Sequence, residues 1–284
     1  MHLVLGFLGA GKTTFIKSVI RRNIRQHEKI VFIVNDFGNE NYDAALFRET
    51  IPEVIEVNDG CLCCGHKNEF EQTLIECAGK NDIDRIIIEP SGLFIPENII
   101  PSFYKEPLRS SMILEPVLVV ADVAFLSRLT KPWPPFLSKH IEACDIIILN
   151  RHDQVPAGAR KNVEGRLEKL NGEARIVTFE EGAEMFYKTN DLNQAASYRH
   201  EKIGIMGDSK HPFTIKHDNK DVFFKNRGDV TRLFESKPTN LVRAKGVIAI
   251  DGEKIFVNYT KNGVDFSDCP DGLDVGVTYF FEIS

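Results

Sequence analysis

The chain has 284 residues, 43% of them hydrophobic and 27% charged, with a formal net charge of −6. That length exceeds one ordinary domain and allows a sizeable core, so a large unit followed by a smaller one is expected. The 35 basic and 41 acidic side chains form no basic run, and no apolar stretch reaches about eighteen residues, so neither nucleic acid nor a membrane is expected as partner.

The first predicted element is a strand over Leu3–Phe7, an apolar run without the basic leader of a secretion signal. A cytoplasmic location is expected, where the six cysteines stay reduced and metal or thiol chemistry is favoured over disulfides. The strand runs into Gly6-Phe-Leu-Gly-Ala-Gly11-Lys12-Thr13, which fits G-x-x-x-x-G-K-[ST] without a mismatch. In such a loop Gly9, Ala10 and Gly11 bring backbone N–H groups against phosphate oxygens, and the helix that follows adds its positive end. Lys12 reaches the β- and γ-phosphates, the Thr13 hydroxyl ligates Mg²⁺, and Thr14 adds to the cradle. The bland alternative is a chance glycine-rich turn. The strand before the loop, and the helical spacing of Phe15, Ile16, Val19, Ile20 and Ile24 after it, weigh against that.

A second strand, Ile30–Val34, ends in Asn35-Asp36-Phe37-Gly38. Asp36 is a candidate catalytic acid on the metal or water side of the site, although Asn-Asp-x-Gly is also ordinary turn chemistry. Cys61, Cys63 and Cys64 follow in a tight Cys-x-Cys-Cys. A closed structural zinc site uses separated cysteine pairs, so three thiols within four residues suggest an open sphere that exchanges its metal. Buried or redox-active cysteines are the alternative, and His66 is either a fourth ligand or a surface histidine. Asn68-Glu-Phe-Glu71 reads as a helix N-cap with its capping-box acid, ahead of Phe70, Leu74, Cys77 and Ala78 at helical spacing. The thiols would then lie just before a helix N-terminus, whose dipole favours thiolate.

A third strand, Arg85–Ile88, ends in Glu89-Pro-Ser-Gly92. An acid at a strand end beside a phosphate loop organises Mg²⁺ or the attacking water, and the nearby glycine lets the backbone approach a γ-phosphate. Strands at Val117–Ala121, Asp145–Leu149 and Ala174–Phe179 complete the alternation, with a helix through Val163, Leu167 and Leu170 closed by Gly172. The fifth strand ends in Asn150-Arg151-His152-Asp153, where GTPases carry the guanine-reading Asn-Lys-x-Asp. Arg151 stands in the lysine position, and its planar guanidinium can stack on a purine without being interchangeable with lysine.

Continuous apolar strands separated by helices imply an α/β fold with a mostly parallel sheet covered on both faces, binding ligands at the carboxyl ends of its strands. Beyond about residue 185 the texture becomes polar, then turns to Phe213–Lys216, a helix near Asp229–Ser236, and β-like runs at Leu241–Asp251, Lys254–Tyr259 and Val277–Ile283. This divides the chain into 1–187, a linker at 188–210, and a small α+β unit at 211–284. Cys77 and Cys144 fall on apolar elements as core residues, and Trp133 anchors a proline-rich loop.

Together "GFLGAGKTT", "NDFG", "GCLCCG", "IIIEPSG", "LNRHD" and "RAKG" (Arg243–Gly246) resemble, in this order, the CobW family of P-loop GTPases. That class includes the nickel-insertion GTPases of urease and hydrogenase. The resemblance covers essentially the whole chain and implies a P-loop GTPase unit followed by a small CobW-type C-terminal domain. It implies a GTP-hydrolysing metallochaperone or insertase for zinc, cobalt or another transition metal, using GTP and Mg²⁺, with Zn²⁺ the first expectation for the thiols. By motif, Lys12 and Thr13 hold phosphate and Mg²⁺, Glu89 and Gly92 mark the γ-phosphate side, Asn150 and Asp153 read the base, and Cys61, Cys63 and Cys64 bind the metal. A client metalloprotein is the implied partner, with a homodimer left open. The chain departs from the family where Asn35-Asp-Phe-Gly-Asn39 replaces Asn-Glu-Phe-Gly-Glu, where Val34 takes the place of a glutamate ligand, and in lacking a histidine-rich stretch. Two other readings fit the residues: a small-molecule phosphotransferase with a structural zinc clip, and a non-enzymatic thiol or metal-binding module.

Overall fold

The computed structural model describes residues 1–23, 28–35, 53–57, 67–80, 82–92, 95–129, 132–186, 213–218, 222–238, 240–260, 263–269 and 275–282. Two sheets organise them. The first has seven strands: β1 (His2–Gly6), β2 (Ile30–Asn35), β3 (Glu53–Val57), β4 (Arg85–Glu89), β5 (Leu118–Asp122), β6 (Ile146–Asn150) and β7 (Arg175–Thr178). Their order is β3-β2-β4-β1-β5-β6-β7, and every pairing is parallel. This is the expected α/β architecture, with one strand more than the sequence suggested. Glu53–Val57 is short, carries two glutamates and lies at the sheet edge, so it lacks the unbroken apolar run of an interior strand.

Helices cover both faces: α1 (Lys12–Asn23), α2 (Lys67–Ala78), α3 (Leu108–Ser111), α4 (Val123–Leu126), α5 (Pro135–Glu142), α6 (Ala157–Leu170) and α7 (Phe179–Met185). The strand pleat divides the core accordingly. Leu3 and Leu5 of β1, with Ile147 and Leu149 of β6, pack on one face with Phe70, Leu74, Leu137 and Val163. Val4, Ile146 and Ile148 point the other way, onto Phe15, Ile16 and Val19 of α1 and Ala183 of α7. Burying each such side chain contributes about 1.5–3 kcal/mol, and burial on both faces explains the unbroken Ile-Ile-Ile-Leu of β6.

Three local expectations change. Phe179 does not end a strand but starts α7, because Thr178 and Glu181 form a reciprocal capping box. Asn68 falls inside the first turn of α2, which begins at Lys67, and the Glu71 carboxylate accepts from the Ser102 hydroxyl. The strand directly before the cysteine-bearing segment is β3, not β2. Asn35 pairs with Val57 and Val34 with Glu89, so the chain leaves for that segment from the same carboxyl edge that carries the phosphate loop.

The second sheet is built from β8 (Phe213–Asp218), β9 (Phe223–Phe224), β10 (Leu241–Ile250), β11 (Glu253–Thr260), β12 (Gly263–Asp268) and β13 (Gly276–Glu282). Its order is β12-β11-β10-β13-β8, antiparallel throughout that path, with β9 joining β10 in parallel. Helix α8 (Arg227–Ser236), capped by Asn226, packs Val230 and Phe234 against Ala244, Ile248, Val257 and Tyr279 on one face of this sheet. Alternation leaves Arg243, Lys245, Phe256, Asn258, Thr260, Asp265 and Ser267 on the other face, as the cross-strand pairs Lys245–Asn258 and Asn258–Asp265 fix. No helix among the described residues is long and apolar enough to cross a membrane.

Candidate functional site

The phosphate loop joins β1 to α1 at the centre of the parallel sheet, where the strand order reverses between β4 and β5. A turn closed by Ala10 N–H onto the Phe7 carbonyl (3.1 Å) shapes the loop, and Phe15 N–H bonds to the Gly11 carbonyl (2.9 Å) as the helix begins. Lys12 is buried and its Nζ donates to the Gly6 carbonyl at 3.1 Å, which folds the side chain back across the loop. The Thr13 hydroxyl donates to Glu89 Oε1 at 2.8 Å. This bond joins the end of the phosphate loop to the acid that closes β4.

Gly92 backs onto the loop. A Cβ there would stand 2.4 Å from Leu8 N and 2.7 Å from the Phe7 carbonyl carbon. Only glycine permits the segment after β4 to lie against the loop backbone in this way, so Gly92 shapes the cradle from behind.

The Asn150–Asp153 turn meets the loop from the other side. Asn150 Nδ2 donates to the Ala10 carbonyl at 2.8 Å, while Arg151 Nη1 donates to the Gly9 carbonyl at 3.0 Å and to Asp122 Oδ2 at 2.7 Å. Arg151 adopts a left-handed backbone (φ 54°), which redirects the chain into a 3₁₀ turn over His152–Gln154. Asp122 was not singled out in the sequence. It ends β5, caps α4 by accepting from Phe125 N–H at 3.0 Å, and anchors Arg151. An acid at the carboxyl end of a parallel strand, the signal that marks Glu89, was available for it too. Asp153 is exposed on the outside of the 3₁₀ turn.

These groups surround a cavity of about 230 Å³. Its floor is Gly9, Gly11, Lys12, Thr13, Thr14, Lys17 and Glu89, with Arg151 at one side. Its roof comes from the second sheet: Arg243, Phe256, Asn258, Asp265 and Ser267. A Cβ on Gly9, whose φ of +73° already favours glycine, would lie 2.5 Å from Thr260 Cγ2, so the second sheet rests directly on the phosphate loop. Nothing in the local sequence pattern foretold that roof. The alternation of β10 and β11 marks a polar face but not what it covers.

Among the lining residues Lys12, Lys17, Arg151 and Arg243 stand against Glu89 and Asp265, four cations to two carboxylates, a balance suited to a polyphosphate. The donor set also fits Mg²⁺, which takes hard oxygens in small number and completes its shell with phosphate and water. The Thr13 hydroxyl and Glu89 carboxylate supply such a pair at the phosphate end.

Asp36, Cys61, Cys63, Cys64 and His66 lie outside the described residues. Among the described residues no group of three or more His, Cys, Asp or Glu side chains could hold a metal ion. Cys77 and Cys144 are buried in the core as expected, and Cys144 Sγ bonds to the Ile141 carbonyl. Trp133 is also buried, with the Arg166 guanidinium 4.3 Å above its ring.

The model of a family described as CobW/HypB/UreG, nucleotide-binding domain, matches residues 1–178. The zinc chaperone YjiA of Escherichia coli is 26% identical over 266 residues, which cover 88% of this chain and 82% of that protein. The zinc chaperone CobW of Pseudomonas aeruginosa is 28% identical over 196 residues, covering 58% of this chain and about half (52%) of that protein. The crystal structure of the Zn(II)-bound YjiA GTPase from E. coli aligns over 100% of this chain and 93% of its own, at 19% identity and a TM-score of 0.45.

Proposed function

The chain belongs to the CobW/HypB/UreG family, and on that premise we propose that it is a GTP-hydrolysing metallochaperone that hands a transition metal, zinc first, to a client metalloprotein. The observation that carries the reading is the meeting of Lys12, Thr13 and Glu89 at the carboxyl edge of the parallel sheet, the edge from which the chain departs toward Cys61. Lys12 releases the Gly6 carbonyl and places its ammonium between the β- and γ-phosphates, where it offsets charge that builds on the terminal oxygens. Thr13 and Glu89 would hold Mg²⁺, which would offset the charge of the phosphates, and Glu89 or Asp36 orients the attacking water. Asn150 fixes the base loop to the phosphate loop, and Asp153 reads the guanine edge.

The metal is cargo, carried by Cys61, Cys63 and Cys64 in an open thiolate site that favours transfer over permanent holding. A GTPase unit at 1–187, a linker at 188–210 and a C-terminal unit at 211–284 belong to the same reading. The names of the two zinc chaperones support zinc as cargo.

The test is GTP turnover of the purified protein with and without zinc, beside Lys12→Ala. We expect Lys12→Ala to abolish turnover that the wild type performs. Equal turnover in both proteins overturns the GTPase reading, and a preference for ATP overturns the role given to Asp153.

A further inference from the structure

Most of the cavity roof is the polar face of β11 and β12, where Phe256 and Asn258 alternate along one strand and Asp265 and Ser267 along the next. Thr260, two residues beyond Asn258, is the point of contact with the phosphate loop, its Cγ2 2.5 Å from where a Cβ on Gly9 would stand. Asn258 therefore lies about 7 Å along the strand from that contact, and Asp265 is its direct cross-strand partner. Asn258 Oδ1 accepts from Arg243 Nε at 3.3 Å, which leaves the amide N–H groups as its remaining donors. Asp265 and Ser267 are exposed and line the cavity, and among the described residues neither side chain makes a hydrogen bond or an ion pair.

A charge on an edge strand guards against strand pairing, which accounts for a carboxylate on β12 but not for its place in a phosphate cavity. There it repels the phosphates themselves. The Mg²⁺ end has its own oxygens in Thr13 and Glu89, joined at 2.8 Å. The base stands one sugar ring further from the phosphates, and the cavity, about 230 Å³, is smaller than the roughly 300–1,000 Å³ of pockets that enclose a whole small molecule. The ribose remains. It is bonded directly to the α-phosphate, and its neighbouring hydroxyls are donors that a carboxylate, an acceptor only, can use. An acid serves the ribose 2′-hydroxyl in the same way in dinucleotide-binding folds.

We propose that Asp265, with the Asn258 amide beside it, binds the ribose of the nucleotide, so that the second sheet completes the nucleotide site and selects ribonucleotides over deoxyribonucleotides. The proposal rests on the nucleotide reading above and adds a sugar-binding pair to it. The 2′-hydroxyl donates to the Asp265 carboxylate and accepts from Asn258 Nδ2. A deoxy sugar leaves both groups without that partner. One nucleotide then touches both sheets, its phosphates on Lys12 and Thr13 and its sugar on Asp265.

The experiment measures affinity for GDP, 2′-deoxy-GDP and inosine diphosphate, with Mg²⁺, by titration calorimetry in the wild type, Asp265→Ala and Asp265→Asn. Failure of the wild type to bind any of the three rejects the nucleotide reading itself, and the proposal with it. Given binding, the wild type is expected to hold GDP about tenfold or more tighter than 2′-deoxy-GDP, the effect of one hydrogen bond to a charged group. Asp265→Ala should bring the two affinities within about twofold of each other, and Asp265→Asn should fall between. Losing the carboxylate also eases its repulsion of the phosphates, equally for both sugars, so the ratio is the readout and not either affinity alone. Equal binding of the two sugars by the wild type, or a wild-type ratio kept in Asp265→Ala, overturns the ribose role. Lost discrimination between GDP and inosine diphosphate in Asp265→Ala, with the sugar ratio intact, overturns it in favour of the base. Should Asp265→Ala not fold, the ratio in Asp265→Asn decides.

Discussion

The Thr13 hydroxyl donates to Oε1 of Glu89 at 2.8 Å, joining the start of α1 to the end of β4 across 76 positions of sequence. Both groups carry hard oxygens of the kind that ligate Mg²⁺. Glu89→Gln keeps the shape and removes the charge. GTP turnover should fall about 100-fold, with more Mg²⁺ needed for half-maximal rate and GDP affinity without Mg²⁺ little changed. Wild-type rate and Mg²⁺ dependence in this variant would return Glu89 to the status of a strand-end charge.

Asp122 performs two tasks that one substitution removes together. It caps α4 through Phe125 N–H and fixes Arg151, whose guanidinium also holds the Gly9 carbonyl. Asp122→Ala should cost about 2 kcal/mol in urea unfolding, from the lost cap and from a partly buried arginine left without its carboxylate. Because Arg151 then holds the loop less firmly, affinity for GTP and GDP should fall together. A stability loss without any change in nucleotide affinity would separate Arg151 from the phosphate loop.

Metal and nucleotide are expected to be linked ligands. Strands β2, β3 and β4 end side by side, and β3 leads toward Cys61 while β4 ends in Glu89. If GTP changes metal affinity, metal must change GTP affinity by the same factor, typically about 5–150-fold. We expect the GTP analogue to tighten zinc binding and GDP to loosen it, read by competition with a chelator. Cys63→Ser or Cys64→Ser should weaken zinc and erase the linkage while leaving metal-free GTP affinity in place. Equal zinc affinity in both nucleotide states would mean that the two motifs act independently.

Stability should also depend on His2. It is buried, stacked on Phe186 and in contact with the Arg85 guanidinium. Burial above all, with the terminal ammonium and Arg85 adding to it, holds its pKa well below 6.5. A histidine kept neutral in the fold contributes stability that is full above its unfolded pKa and is lost as pH falls below it, because only the unfolded chain gains the proton. Between pH 7.5 and 5.5 this one group should remove about 1.4 kcal/mol, the equivalent of one pH unit below 6.5. Unfolding by urea at both pH values, repeated with His2→Gln, measures it. A pH dependence as steep in the variant as in the wild type would assign the effect elsewhere.

Much of the first sheet was legible because its strands are buried on both faces. Ile146–Leu149 and Ile86–Ile88 read as unbroken apolar runs, and the glycine spacing of the phosphate loop is a local demand of the backbone. Glu53–Val57 was missed for the converse reason. At a sheet edge the strand carries charge, so its pattern does not stand out from a loop. Phe179 reads as strand because β-favouring Ile176, Val177 and Thr178 lead into it, while the capping box at Thr178 and Glu181 ends the strand.

What the sequence determined by itself was therefore local: a phosphate loop of defined chemistry, an alternating α/β chain, a cysteine cluster and a strand-end acid. Tertiary structure decided which distant groups meet. It tied Asp122 to Arg151 and Gly9, laid Gly92 against Leu8, and set the polar face of β10–β12 over the phosphate loop. Period-two alternation reveals that Arg243 and Lys245 share a face, and nothing in it reveals what that face covers. Sequence patterns report the burial period of each element, whereas the pairing of two faces depends on shape and charge brought together across the whole chain.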